Sequence, residues 1–150
     1  MSPKIKAMSR RDLFHDHVKE ALEKDGWKIT HDPYMLIIHD EKGNKRDYPI
    51  DLGAEVILAA EKENSKIAIE VKTFGGSSTI SDYHQALGQY MDYLVGLQTQ
   101  EPDRKLYLAI SQQAYKEIQG NPLAKLSVEH YGISMIIFDP RSKTILQWIR

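Results

Sequence analysis

The 150-residue sequence contains no cysteine. That excludes disulfides, thiolate zinc sites and thiol nucleophiles, and it fits a reducing compartment. Neither sign of charge is in surplus: 20 Lys+Arg stand against 21 Asp+Glu, a formal net charge of −1. Residues 1–75 hold 13 basic and 14 acidic groups and residues 76–150 hold 7 of each, so neither half is a basic tail. Sequence-blind DNA binding through bulk charge is therefore not indicated, while a local basic rim around a cleft stays compatible with these numbers. No apolar run approaches membrane length. Lys4, Lys6, Arg10 and Arg11 have no hydrophobic segment behind them, so the N-terminus does not read as a secretory signal. The expectation is a soluble cytoplasmic protein of one domain, spanning residues 1–150, with no membrane contact and length enough for a real core.

What is present alternates between helix-like and strand-like stretches. Residues 1–8 read as a loose arm. Ser9 can cap a helix with Asp12 at the capping-box position, and Phe14, Val18, Ala21 and Leu22 form its apolar stripe before Asp25-Gly26 ends it. His15 stands at the edge of that stripe, either as a half-buried polar residue or lining a site. Trp27–Thr30 and Tyr34–His39 are strand-like, Gly43-Asn44 tips a turn, and Arg46–Leu52 is the return strand. Residues 55–60 read equally as continued strand past a bulge or as a helical turn. Glu61–Lys66 reads as a charged, solvated turn.

Ile67–Phe74 is β-branched and apolar, too short for a helix, and reads as a buried strand. Side chains alternate along a strand, so Ala68, Glu70 and Lys72 share one face while Ile67, Ile69, Val71 and Thr73 share the other. Charge on an otherwise apolar strand demands a partner. One reading is a salt pair at a strand end. The other is a metal site, built from Glu70 and from Asp51, 19 residues earlier, with Lys72 orienting the attacking water.

A loop, Gly75–Ser78, then either approaches a phosphate or simply connects. Ser81 caps a helix to Leu97 with a core stripe of Tyr83, Leu87, Tyr90, Leu94 and Leu97. Gln85, Gln89 and Tyr93 recur at i, i+4 and i+8 as a second, polar stripe. Leu106–Ser111 is a strand, Gln112–Gln119 a helix, Pro122–His130 a helix closed by Gly132, and Ile133–Phe138 and Thr144–Ile149 are strands. This order makes an α/β domain with a mixed central sheet flanked by helices.

Taken in order, these residues resemble the PD-(D/E)XK nuclease superfamily, with its restriction-endonuclease-like α-βββ-α-β core. Asp51 matches the acid of the second core strand, although Pro49-Ile50-Asp51 is one residue longer than the usual dipeptide. Glu70-Val71-Lys72 matches the (D/E)-x-K of the third strand, and Gln89-Tyr90-Met91-Asp92-Tyr93 matches the Gln-x-x-x-Tyr of the following helix. The first-helix acid has no clean match; His15 stands on that face with Asp16 beside it. A nearer resemblance covers almost the whole chain. Phe14-His15-Asp16, Ala21–Trp27, Ile50–Glu55, Ala59–Lys62, Ala86–Tyr90 and Phe138–Pro140 are similar to the XisH family, the fdxN element excision controlling factors of cyanobacteria.

The resemblance implies site-specific DNA excision beside a recombinase and an XisI-like companion protein. It also implies a Mg²⁺- or Mn²⁺-dependent site. There Asp51, Glu70 and the Val71 carbonyl hold the metal, and Lys72 positions water or stabilises charge on the phosphate. Gln89 holds Lys72 or a phosphate oxygen, with His15, Gln85 and Tyr93 in support. The competing reading is a non-catalytic module on the same fold. In it Glu70 and Lys72 pair with each other, and the surface serves DNA, the companion protein or self-association.

Overall fold

A computed structural model of the chain describes residues 10–48, 57–74 and 78–150. The elements run α1 (Arg10–Lys24), β1 (Lys28–His31), β2 (Leu36–His39), β3 (Lys45–Tyr48), β4 (Ile57–Lys62), β5 (Ser65–Val71), α2 (Thr79–Gln100), β6 (Arg104–Ser111), α3 (Gln112–Gln119), α4 (Pro122–Tyr131), β7 (Met135–Asp139) and β8 (Thr144–Ile149). The architecture is mixed α/β: a six-stranded sheet in the order β1-β4-β5-β6-β7-β8, flanked by helices, with β2 and β3 forming a separate hairpin.

The centre of the sheet is parallel. β5 pairs with β6 and β6 with β7 in the same direction, and antiparallel β4 and β8 flank them. Parallel neighbours need long crossovers, which α2 supplies between β5 and β6, and α3 with α4 between β6 and β7. Strands covered on both faces read as near-continuous apolar runs, and that is why Leu106–Ile110 and Met135–Phe138 barely alternate. On one face Ala68, Leu106, Leu108, Ile110, Met135 and Ile137 pack against Tyr83, Tyr90 and Leu97 of α2, Ala114 and Ile118 of α3, and Ala124 and Val128 of α4. On the other, Ile67, Ile69, Val71, Tyr107, Ala109, Ile136 and Phe138 pack against Val18 and Leu22 of α1. Both tryptophans belong to this second layer, Trp27 lying 5.7 Å from Trp148, whose ring meets Tyr107 edge-on at 5.1 Å.

Several expectations are corrected. The stretch 34–39 does not join the main sheet. Only Leu36–His39 is strand, paired with β3, and the hairpin docks on the C-terminal part of α2. The Gln100 amide donates to the Met35 carbonyl (3.0 Å), and its oxygen accepts from the Ile37 N–H (2.6 Å). Leu36 lies on Gly96, where a Cβ would come within 3.0 Å of Leu36 Cδ1. The place beside β4 is taken by β1, running Lys28–His31 rather than Trp27–Thr30. The charged turn is also shorter than expected: Glu61 and Lys62 finish β4, Ser65 opens β5, and the chain reverses at Glu63-Asn64 with Glu63 at φ 54°. Charged residues tolerate a strand end because their heads stay in water.

α2 begins three residues earlier than expected, because Ser78 rather than Ser81 is the cap: its hydroxyl accepts from the Ser81 N–H at 3.2 Å. It also runs on to Gln100, and its core face is Tyr83, Ala86, Tyr90 and Leu97, with Leu87 and Leu94 only half-buried. By contrast α3, α4 and β8 fall within a residue of the expected bounds, with Asn121 capping α4 and Gly132 closing it at φ 62°, a conformation that favours glycine, whereas β7 runs Met135–Asp139 rather than Ile133–Phe138. The return strand Arg46–Leu52 is described only as β3; Asp51, like 49–56 as a whole, lies outside the described residues, as do the loop residues 75–77.

At the amino end of β6 a polar knot ties three elements together. The buried Arg104 guanidinium donates to both Glu101 carboxylate oxygens at 3.0 Å and to the Ile67 carbonyl at 3.0 Å, and Tyr34 donates to Glu101 at 2.7 Å. The Arg104 hydrogen bond, with Tyr34 in support, lowers the Glu101 carboxyl from 4.5 to about 2. A depressed carboxyl stabilises the fold above its unfolded pKa and loses that contribution as pH falls through its folded one. Glu101's share of stability should therefore be intact above about 4.5 and vanish towards about 2. Denaturant melts from pH 6 to 2 should show Glu101→Gln with a flatter acid limb than wild type. Parallel curves would show that this knot carries no acid sensitivity.

Candidate functional site

β5 delivers Glu70 and Lys72 to the carboxyl end of the parallel strands, where open α/β sheets present their binding crevice. Their even spacing puts both on the face covered by α2, and both are buried, Glu70 at 0% exposure and Lys72 at 4%. The Lys72 ammonium stands 3.1 Å from Glu70 Oε1. Lys72 also donates to the Gln89 side-chain oxygen across a short hydrogen bond, and its own N–H reaches the Ala109 carbonyl at 3.0 Å, which holds the backbone against β6 beyond the last residue of β5.

Neither oxygen of Glu70 has a hydrogen-bond partner among the described residues. Burial pushes the Glu70 carboxyl up from 4.5 to about 8. Burial likewise pulls Lys72 down from 10.5 to about 8, and the Asp82 carboxylate in the first turn of α2 opposes that fall. Two groups that each resist carrying charge are thus held in contact, so that each makes the charge of the other tolerable. Tyr93 lies close enough for Glu70 to matter to it: its hydroxyl is raised to about 12, by burial first and then by the Glu70 and Asp92 charges. Tyr90 walls the same side, its hydroxyl donating to the Leu106 carbonyl (3.4 Å) and accepting from the Ser134 N–H (3.3 Å).

The structure therefore brings Glu70, Lys72, Gln89 and Tyr93 together. The Val71 side chain turns to the opposite face, into the layer beneath α1, which leaves only its backbone for the site. Gln85 is exposed and has no hydrogen bond to a described residue. It shares a stripe with Gln89 but stays in solvent, although Tyr83 and Ala86 on either side of it are buried. His15 is bound elsewhere: its Nε2 lies 2.9 Å from Asp32 Oδ1, whose other oxygen takes Lys19 Nζ at 2.7 Å. Asp82 was missed from the sequence, yet it stands seven residues before Gln89 and so on the same flank of the helix. Among the described residues no group of three or more His, Cys, Asp or Glu is placed to hold a metal, and no helix is long and apolar enough to cross a membrane.

These features define a mixed α/β protein with an acid–lysine pair sunk at the carboxyl end of a parallel strand. The chain belongs to the XisH family, whose sequence pattern, described as XisH protein, it matches over residues 8–146. Two crystal structures are similar to it. One, of a fdxN element excision controlling factor protein from Anabaena variabilis, is 38% identical with a TM-score of 0.80, covering 93% of this chain and 99% of that one. The other, of an XisH family protein from Nostoc punctiforme, is 39% identical with a TM-score of 0.80, covering 93% of this chain and 100% of that one. A comparison with curated proteins found no match.

Removing one partner of a buried ion pair leaves the other uncompensated, whereas removing both does not. Lys72→Met should cost about 3–5 kcal/mol in urea melts without metal, and Glu70→Gln/Lys72→Met should recover most of that loss. Additive losses in the double variant would show that the two side chains do not depend on one another.

Proposed function

We propose that this XisH-family chain is a restriction-endonuclease-like domain of the PD-(D/E)XK type. In this reading the Glu70–Lys72 site hydrolyses DNA phosphodiesters with Mg²⁺ or Mn²⁺ in the course of site-specific excision. The observation that carries the reading is the Glu70 carboxylate, fully buried with both oxygens lacking a hydrogen bond among the described residues. The Lys72 ammonium meets one of those oxygens at 3.1 Å, and the lone pairs left over suit a further cation or a proton.

The donor set fits a hard cation. Mg²⁺ takes oxygen ligands, uses one or two carboxylates and keeps several waters. Glu70 and the Val71 carbonyl would hold it, with Asp51 as the second carboxylate. When bound, such an ion polarises the phosphate and acidifies a coordinated water.

The remaining roles follow from this chain's own side chains. Lys72 sets a positive charge beside the carboxylate, where negative charge builds on a phosphate in the transition state. Gln89 fixes the ammonium in place, so little reorganisation is needed as that charge develops. Because burial lowers Lys72 to about 8, the same group can give up its proton near neutral pH and take one from water. Tyr90 and Tyr93 wall off bulk solvent on the helix side, which strengthens the electrostatics inside. Similarity to a fdxN element excision controlling factor protein from Anabaena variabilis supports a role in excision. Action beside a recombinase and an XisI-like companion completes the proposal.

One observation favours a second reading. Glu70 and Lys72 already pair at 3.1 Å, so the site is also coherent as a structural pair on a non-catalytic DNA- or protein-binding module. The test is cleavage of single-stranded, duplex and branched DNA with Mg²⁺ or Mn²⁺, beside metal-dependent melting shifts. Lys72→Ala should abolish cleavage and keep the metal shift, while Glu70→Gln should lose both. Wild-type protein with neither cleavage nor a metal shift would end the nuclease reading and leave the module.

A further inference from the structure

Seven large apolar side chains are exposed among the described residues, and three of them, Leu123, Leu126 and Tyr131, belong to the ten residues of α4. Their exposures are 69%, 60% and 54%. Tyr131 follows the inner edge, about 20° from Ala124 and close enough to Tyr83 for its charge to be felt there, but Leu123 and Leu126 lie together on the outer face as an apolar contact patch. The inner side of α4 is already fixed by Ala124 and Val128 in the core and by Ser127, whose hydroxyl meets Tyr83 at 2.5 Å. The outer side is therefore not needed to hold the helix in place.

At 100° per residue, Leu123, Leu126 and His130 line one edge of the outer face, and Lys125 and Glu129 line the other. Neither Lys125 nor Glu129 has an ion pair among the described residues. We propose that this face pairs with the same face of a second copy of the chain, α4 against α4, antiparallel about a two-fold axis.

The occupant follows from the charge pattern. An isologous contact sets residue i against j and j against i. A two-fold passing level with residue 127 sets Lys125 of each copy against Glu129 of the other, so opposite charges meet twice. The same axis brings both Leu126 side chains close to it, with Leu123 and His130 of each copy along the flank opposite the charges. One lysine balanced by one glutamate does not suit a phosphate backbone, which calls for a cationic face. Two leucines and a charge pair per copy fall short of the ~800 Å² per partner of a standard interface, so the dimer is concentration-dependent rather than permanent. The inference is independent of whether the Glu70–Lys72 site hydrolyses anything.

Sedimentation of the full chain from about 1 μM to about 1 mM tests it over the range of weak complexes. The weight-average mass should climb from 17.2 kDa towards twice that value. Leu126→Glu places two charges at the axis and should hold the protein monomeric throughout. Lys125→Glu and Glu129→Lys should each weaken association about tenfold, because each sets like charges face to face. The double variant Lys125→Glu/Glu129→Lys should restore it, since the swapped pair is again self-complementary. All three positions are exposed, and unchanged melting curves would confirm that the variants fold. A wild-type monomer at every concentration would overturn the proposal, including the case in which this face serves an unrelated protein. So would a dimer indifferent to Leu126→Glu, or a double variant no better than its singles.

Discussion

The burial of one carboxylate and one ammonium side by side on a central strand constrains the rest of this structure. Alone, either group would be expelled from an apolar interior or would lose its charge. Held 3.1 Å apart they can both stay, provided that their surroundings are rigid enough to keep them there. The parallel register of β5 against β6 supplies part of that rigidity, carried one residue past the strand by the Lys72 N–H on Ala109. α2 supplies the rest, because Gln89 holds the lysine head while Tyr83, Tyr90 and Leu97 anchor the helix to the sheet. Well-packed apolar residues in place of a buried ion pair often serve stability as well or better, so stability alone is a weak account of this one.

The two ends of the sheet manage charge differently. At the amino end of β6, Arg104 is satisfied by Glu101, Glu61 and the Ile67 carbonyl, and the lowered Glu101 carboxyl reflects that. At the carboxyl end of β5, Glu70 is raised and its oxygens lack hydrogen bonds among the described residues. The first arrangement is complete as it stands and reads as architecture. The second has the Lys72 contact alone, and its remaining lone pairs are the opening that the proposed metal would fill.

Much of this was legible in the residues. The parity of Glu70 and Lys72 along an apolar run placed both on one face, and the i+4 repeat through Gln89 and Tyr93 placed those two on one flank of the next helix. The second half of the chain was marked by punctuation, Pro122 at one helix start and Gly132 at its end, which acts locally and so can be read locally. What escaped was set by partners far away in sequence. β1 lies beside β4 rather than beside the hairpin that follows it, and no residue between 28 and 48 announces that exchange. Arg104 looked like an ordinary charge at a strand start, and its burial depends on Tyr34, 70 residues earlier. Gln85 carried the right spacing but stays exposed, because periodicity gives the angle around a helix and not which partner stands at each level.

Gln89 and Gln100 both sit on α2, one gripping Lys72 and the other gripping the β2–β3 hairpin. Eleven residues separate them, about three turns and some 16 Å of rise, so the two amides emerge in nearly the same direction. α2 is in that sense a gauge block with a stop at each end. One added residue between the stops would swing one grip about 100° away from the other, and two added turns would restore the angle but lengthen the block by roughly 11 Å. The span from Gln89 to Gln100 is therefore intolerant of insertion and deletion in a way that its mixed, unremarkable sequence does not advertise. Substitutions on its outer side, at positions such as Met91 and Val95, leave the gauge untouched.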